Sequence, residues 1–80
     1  MSPNDFYDKG YTAGQASASA CREKIRGLGD SVSLAKFAGK KVEELIDAIN
    51  SPDLWYVKNL PSWRIGFFDG FCSRAEDLRG

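Results

Sequence analysis

Two copies of one short pattern constrain this chain more than anything else in it. Gly10-Tyr11-Thr12-Ala13-Gly14 and Gly66-Phe67-Phe68-Asp69-Gly70 both read Gly-aromatic-x-x-Gly, fifty-six residues apart. Each lies in a stretch with helical apolar spacing. A glycine inside a helix costs roughly 1 kcal/mol relative to alanine, so two glycines one turn apart in each of two helices require a compensating gain. Close approach supplies it: without Cβ atoms at i and i+4, a groove opens along the helix, and a neighbouring backbone or aromatic ring can lie in it. The spacing predicts that Gly10, Gly14, Gly66 and Gly70 are helix-packing positions. The alternative is that one groove receives a partner helix or forms a homodimer. Neither pair is a phosphate loop, which needs a strand before it and a helix N-terminus at the glycines.

The surrounding residues extend the helical reading. Ser2 or Asn4 can cap a first helix, with Pro3 and Asp5 suited to its start. Tyr7, Tyr11, Gly14, Ala18, Cys21, Ile25 and Leu28 then follow one stripe at alternating intervals of four and three, which predicts one continuous helix. Gly27 and Gly29 are expected to end it in the left-handed conformation. Asp30, Ser31 or Ser33 can cap a second helix carrying Leu34, Phe37, Ala38, Val42, Leu45, Ile46 and Ile49, with Gly39 as a point of bending or division. Ser51-Pro52-Asp53 restarts a short helical turn through Leu54, Trp55, Tyr56 and Val57, with Ser51 as its cap. Pro61 stops that turn by pushing Leu60 out of the helical region. Ser62 is placed to cap a last helix from Trp63 to about Leu78, in which Gly66 and Gly70 fall near the edge of the apolar face.

No segment alternates with a β period, so residues 1–80 are expected to form a single all-α domain: a small bundle of three main helices plus one short helix, the first and last packed together. Zero net charge and a 42% apolar share are those of an ordinary globular chain able to build a core. There is no histidine, which removes the commonest general base and metal ligand. No cofactor or metal is expected. Cys21 and Cys72 fall on apolar faces and read as buried, reduced thiols. No apolar run reaches membrane-spanning length, and the first residues are acidic where a signal peptide is basic, so the expected setting is cytoplasmic with no membrane partner.

Gly10-Tyr11-x-Ala13-Gly14 in a first helix, followed by Trp63-x-x-Gly66-Phe67 in a last helix, resembles the small bacterial ribosome modulation factor family and its phage-borne relatives. The resemblance covers about a third of the chain and implies two packed helices and a ribosome- or RNA-associated role. The chain differs from that pattern in being neutral, in its longer connection with an extra amphipathic helix, and in lacking an Asn-Pro-Tyr element. A shared helix-pair architecture is therefore the stronger implication.

Three groups of residues are candidates for function. Residues 22–41 carry Arg22, Lys24, Arg26, Lys36, Lys40 and Lys41 against Glu23 and Asp30, a surplus of +4 that leaves −4 elsewhere. Brought together they form a basic corner for nucleic-acid phosphates or an acidic protein surface; the alternative is a solvated turn. Leu54-Trp55-Tyr56-Val57 is the densest aromatic segment. Adjacent residues on a short helix diverge by about 100°, so one of Trp55 and Tyr56 should lie inside and the other at least half exposed as a partner contact. Glu43, Glu44 and Asp47 read as solubilising charges rather than an acid-base pair, so no enzymatic activity is expected. The leading expectation is a non-enzymatic module that covers a site on a larger protein through Trp55, Tyr56, Arg22, Arg26, Lys36, Lys40 and Lys41. Phage and mobile-element inhibitors of host machinery, defence systems included, have this make-up. The alternative is an RNA- or ribosome-associated factor, and a structural homodimer is the third reading.

Overall fold

In the computed structural model, which describes residues 3–79, the order of elements is α1 (Pro3–Ala20), α2 (Arg22–Arg26), α3 (Ser31–Ala48), a 3-10 turn (Pro52–Leu54), α4 (Trp55–Asn59) and α5 (Pro61–Arg79). The all-α class holds, with no strand among the described residues. Three long helices match expectation, whereas three short elements stand among the described residues where one was expected: α2 is separate from α1, and the turn after Ser51 divides into a 3-10 turn and α4.

The glycines set the architecture. Gly10 faces the Trp63 carbonyl and the Phe67 amide, and Gly14 faces the Phe67 carbonyl and the Phe71 amide. In return Gly66 faces the Tyr7 carbonyl and the Tyr11 amide, while Gly70 lies against the Tyr11 carbonyl. Both sets of pairings advance in the same direction, so α1 and α5 run parallel with their backbones in contact. A Cβ on Gly14 would lie 2.7 Å from the Phe71 nitrogen, and one on Gly70 2.9 Å from the Tyr11 Cα. These are backbone atoms that cannot rotate aside. Since an Hα takes the place of each missing Cβ, each glycine directs a C–H group at a carbonyl oxygen of the other helix, a weak contact worth about 0.5–1 kcal/mol. Gly66 and Gly70 are fully engaged in this seam rather than lying at an apolar edge.

Two parallel helices need a return between them, and α3 is that return. Phe37 meets Phe71 at 5.7 Å between ring centroids, and Glu43 pairs with Arg64, so α3 runs antiparallel to α5. Its buried Leu34, Ala38 and Val42 rest with Trp63, Phe67, Phe71 and Ala75 of α5 in one core, which Ile25 of α2 and Val57 of α4 complete. Among the described side chains, α1 supplies only Ala18 to the buried apolar set.

Several local expectations are corrected. α1 stops at Cys21, whose φ of −108° and ψ of 22° leave the α ladder while its N–H reaches both Ser17 and Ala18 carbonyls at 3.1 and 3.0 Å. The chain turns there and α2 buries Ile25 against α5, which breaks the predicted continuous helix. No described glycine has a positive φ: Gly27 is right-handed, its N–H bonding the Glu23 and Lys24 carbonyls, so the left-handed ending does not form. α1 begins at Pro3, so Asn4 lies within the helix rather than before it, and Ser2 lies outside the described residues. Gly39 does not divide α3, which runs unbroken from Ser31 to Ala48. The Ser51 side chain makes no capping bond; Pro52, with φ pre-set, starts the turn instead. Ser62 falls within α5, whose first residue is Pro61, and the extended Leu60 accepts from the Trp63 amide at 3.2 Å. Asp30 does cap α3, accepting the Ser33 amide at 2.7 Å.

That cap gives a pH prediction. The bonds from Ser33 hold the Asp30 carboxyl below its ordinary value of 3.8. A depressed folded-state pKa stabilises the fold above the unfolded value, and the contribution disappears as the pH falls through the lower folded value. Asp30→Asn keeps a good cap but cannot titrate. Its melting temperature should therefore fall less steeply below about pH 4 than that of the parent, as followed by circular dichroism across a pH series. The glycines give a second prediction. A Cβ on Gly39 meets nothing within 4 Å, so Gly39→Ala should stabilise by about 0.4–1 kcal/mol, several degrees for a domain this size. Gly14→Ala and Gly70→Ala should each destabilise by about 1–3 kcal/mol. Equal shifts for all three variants in thermal melts would disprove the backbone seam.

Candidate functional site

Two surfaces carry the candidate residues. The first gathers where α4 meets the beginning of α1. The 100° step along α4 turns Trp55 outward, 52% exposed, and leaves Tyr56 half-buried against the core. Phe6 of α1 contacts both, at 5.8 Å from the Trp55 ring and 5.2 Å from the Tyr56 ring, and the two α4 rings meet edge to face at 6.2 Å. The Lys9 ammonium stands 5.1 Å from the Tyr56 ring centre and 5.7 Å from that of Phe6. Asn59 donates its side-chain amide to the Trp55 carbonyl at 2.8 Å, tying the end of α4 to its beginning. The result is a pre-formed aromatic corner from which one indole projects. Each edge-on ring contact is worth about 0.5–1.5 kcal/mol and fixes the rotamer, so Trp55 loses little freedom on meeting a partner.

The basic residues are only partly united. Arg22, Lys24 and Lys41 line a shallow depression of about 640 Å³ between the α1–α2 break and α3, together with Ser19, Cys21, Glu23 and Phe37. Lys41 is 5.5 Å from the Phe37 ring centre and 3.5 Å from the Glu44 carboxylate, which leaves its side chain 32% exposed. Glu23 brings a negative charge into the same depression. Arg26, Lys36 and Lys40 are exposed but do not line it. Glu43 is held by Arg64 and Glu44 by Lys41, so these carboxylates serve in ion pairs across and along helices.

Cys21 and Cys72 are free and half-exposed rather than buried as expected. Burial, then the charges of Asp69 and Glu76, pushes the Cys72 thiol up, which disfavours the reactive thiolate. Tyr7 donates its hydroxyl to Asp69 at 2.6 Å. That hydrogen bond, with the nearby carboxylates, raises the Tyr7 phenol above its usual 10.0.

Phe6 and Lys9 are parts of the aromatic corner that the sequence pattern missed. Phe6 stands one residue off the Tyr7–Leu28 stripe, but it lies four residues before Gly10, on the row that faces α5; that offset was the available signal.

Among the described residues no helix is long and apolar enough to cross a membrane. No protein family matches this chain, and no curated protein or solved structure matches it either.

The two tryptophans give a direct check on this geometry, since Trp63 is 4% exposed and Trp55 52%. Trp55→Phe should leave a blue-shifted emission that acrylamide quenches weakly. Trp63→Phe should leave a red-shifted, readily quenched emission. The reverse assignment would place Trp55 in the core and remove the corner.

Proposed function

We propose that the protein is a non-enzymatic binding module that acts by covering a site on a larger protein, with Trp55 as its anchor and Phe6 and Tyr56 as the frame that holds it. The observation that carries this reading is the half-exposed indole held edge-on by the Phe6 and Tyr56 rings, which Lys9 in turn covers. Large, rigid aromatic side chains at the centre of a contact supply most of the energy of protein interfaces, while charges around them steer encounter. Lys36 and Lys40 are exposed and separated by one helical turn, which suits a steering role. The reading includes a cytoplasmic setting, in which Cys21 and Cys72 stay reduced, and action as an inhibitor of host machinery, as small phage and mobile-element proteins do.

One observation favours an RNA or ribosomal partner instead: Arg22, Lys24 and Lys41 surround one depression. Glu23 and Glu44 offset those charges, and the depression offers Phe37 alone as a ring. Phosphate contacts alone would then have to supply the affinity, and such binding falls steeply with salt.

The two readings separate in one experiment. The immobilised protein is presented with host extract across a salt gradient, and the retained partner is re-measured with variants. Under the module reading a single protein stays bound at high salt, and Trp55→Ala weakens it by about 2 kcal/mol or more at a temperature where circular dichroism shows the variant still folded. Lys40→Glu should mainly slow association. It is a cleaner probe than Lys41→Glu, which would also disturb Phe37 and Glu44. Binding that vanishes with moderate salt, that nuclease removes, and that Trp55→Ala leaves untouched would reject the module reading in favour of nucleic acid.

A further inference from the structure

The glycine seam relates α1 to α5 by an approximate two-fold axis. Shifting by fifty-six residues takes Gly10 to Gly66 and Gly14 to Gly70, and it takes Tyr7, Tyr11 and Gln15 to Trp63, Phe67 and Phe71. In a parallel pair of this kind the two equivalent rows point to opposite sides of the seam. The row on α5 is buried beneath α3, with Phe37 packed on Phe71. The row on α1 is the geometric counterpart, yet Tyr7, Tyr11 and Gln15 are only half-buried. α3 packs on α5 and barely touches α1, so no long helix of this chain covers the α1 row. The fold thus makes two helix-receiving faces and fills one.

The unfilled face has a defined chemistry. The Tyr7 and Tyr11 rings lie 6.1 Å apart, tilted by 36°, and the Tyr7 hydroxyl reaches across the seam to Asp69. Ile65, one turn before Asp69 on α5, is 56% exposed. Asp8 follows Tyr7, and Glu76 stands beside Cys72 on the Asp69 side of α5. Three of the four cations of α1 and α5 are engaged elsewhere, Lys9 by the Phe6 and Tyr56 rings, Arg64 by Glu43 and Arg79 near Asp30, while Arg74 meets the Ser19 hydroxyl at 3.1 Å, one turn beyond Gln15 at the end of the row. The face is therefore aromatic at its centre and negative at its edges, which complements an apolar stripe flanked by positive charge. Tyrosine rings also attract ammonium and guanidinium groups through their π faces.

We infer that the face built from Tyr7, Tyr11 and Gln15 of α1 with Ile65 and Asp69 of α5 is the docking site for a cationic amphipathic helix of a partner protein. It occupies the place that α3 takes on the opposite side of the seam. The site uses none of the Trp55 corner, so it stands or falls separately from the reading above.

The test measures binding of a labelled amphipathic helical peptide of leucine, alanine and lysine by fluorescence anisotropy. Its controls are a scrambled peptide of the same composition and a glutamate-for-lysine counterpart. The patterned cationic peptide should bind saturably and the two controls should not. Tyr11→Ala and the isosteric Asp69→Asn should each weaken binding about tenfold or more, while Asp47→Asn on α3 should leave it unchanged. Amide chemical-shift changes in the parent protein, which need no variant to fold, should centre on Tyr7, Tyr11, Gln15 and Asp69. Equal binding of the scrambled peptide would reduce the effect to net charge and overturn the site. Shift changes centred on α3 would do the same. So would sedimentation showing that the chain pairs with itself through this face, with Tyr11→Ala abolishing the pairing, since the occupant would then be a second copy.

Discussion

Four glycines let two helix backbones touch, and most of the fold follows from that contact. Ordinary helix pairs are kept 8–10 Å apart by their side chains. Here, at Gly10, Gly14, Gly66 and Gly70, the opposing surface is a carbonyl oxygen rather than a side chain. The contact therefore has low tolerance in both directions. Adding one Cβ meets backbone, and sliding the register by one residue places Tyr11 or Phe67 where a glycine must be. A seam of this kind fixes distance, direction and register together, which an apolar stripe of leucines would leave looser. The helix-propensity cost of the glycines is repaid by dispersion and C–H to oxygen contacts along the seam.

A parallel seam also imposes a topology. The chain leaves α1 at one end and must enter α5 at the other, so a long antiparallel element is required between them, and α3 is that element. The return lies on one side of the pair only. This is why the core is lopsided: α5 contributes Trp63, Phe67, Phe71 and Ala75 to it, whereas α1 contributes Ala18. The two short helices serve the ends of this arrangement. α2 carries Ile25 beneath the pair, and α4 carries Val57 to the opposite end while projecting Trp55 outward.

The helices and their partners were legible in the sequence because period and small-residue spacing are local properties. A cap within Asp30–Ser33 and the stop before Pro61 were legible for the same reason, each resting on the chemistry of a few neighbouring residues, while the choice of Asp30 over Ser31 and Ser33 came from the structure. The break at Cys21 was not. No proline or glycine marks it, and the apolar stripe continues through it; only the gain from burying Ile25 against α5 explains the turn, and that is a tertiary effect. The Ser51 and Ser62 caps failed because a following or preceding proline already fixes the backbone, so the helix start moves to the proline. Of the candidate site, the divergence of Trp55 and Tyr56 was legible from the step angle of a short helix, but which of the two faces outward was not. Nor was the frame around Trp55, since Phe6 and Lys9 come from the other end of the chain. Whether the cations of residues 22–41 meet was not legible, because a run of charge in sequence winds around two helices, and of the six only Arg22, Lys24 and Lys41 share a depression.

The distribution of charge and aromatic surface also follows from the seam. Because α3 closes one side, its cationic early part, Lys36 to Lys41, is held away from the Tyr7 side of the pair, and Arg64 is drawn toward α3 by Glu43. The carboxylates of Asp8, Asp69 and Glu76 are left on the far side without a cation from α1 or α5 to meet them. A neutral chain thus becomes a polarised molecule. Zero net charge places no constraint on such a protein's partners, because the acidic Tyr7 side is balanced by cations elsewhere, even though α3 itself sets Lys36, Lys40 and Lys41 against Glu43, Glu44 and Asp47. The internal packing that selects glycine at four positions is the same packing that sorts those charges, so a substitution that loosens the seam should disturb surface recognition before it abolishes helicity.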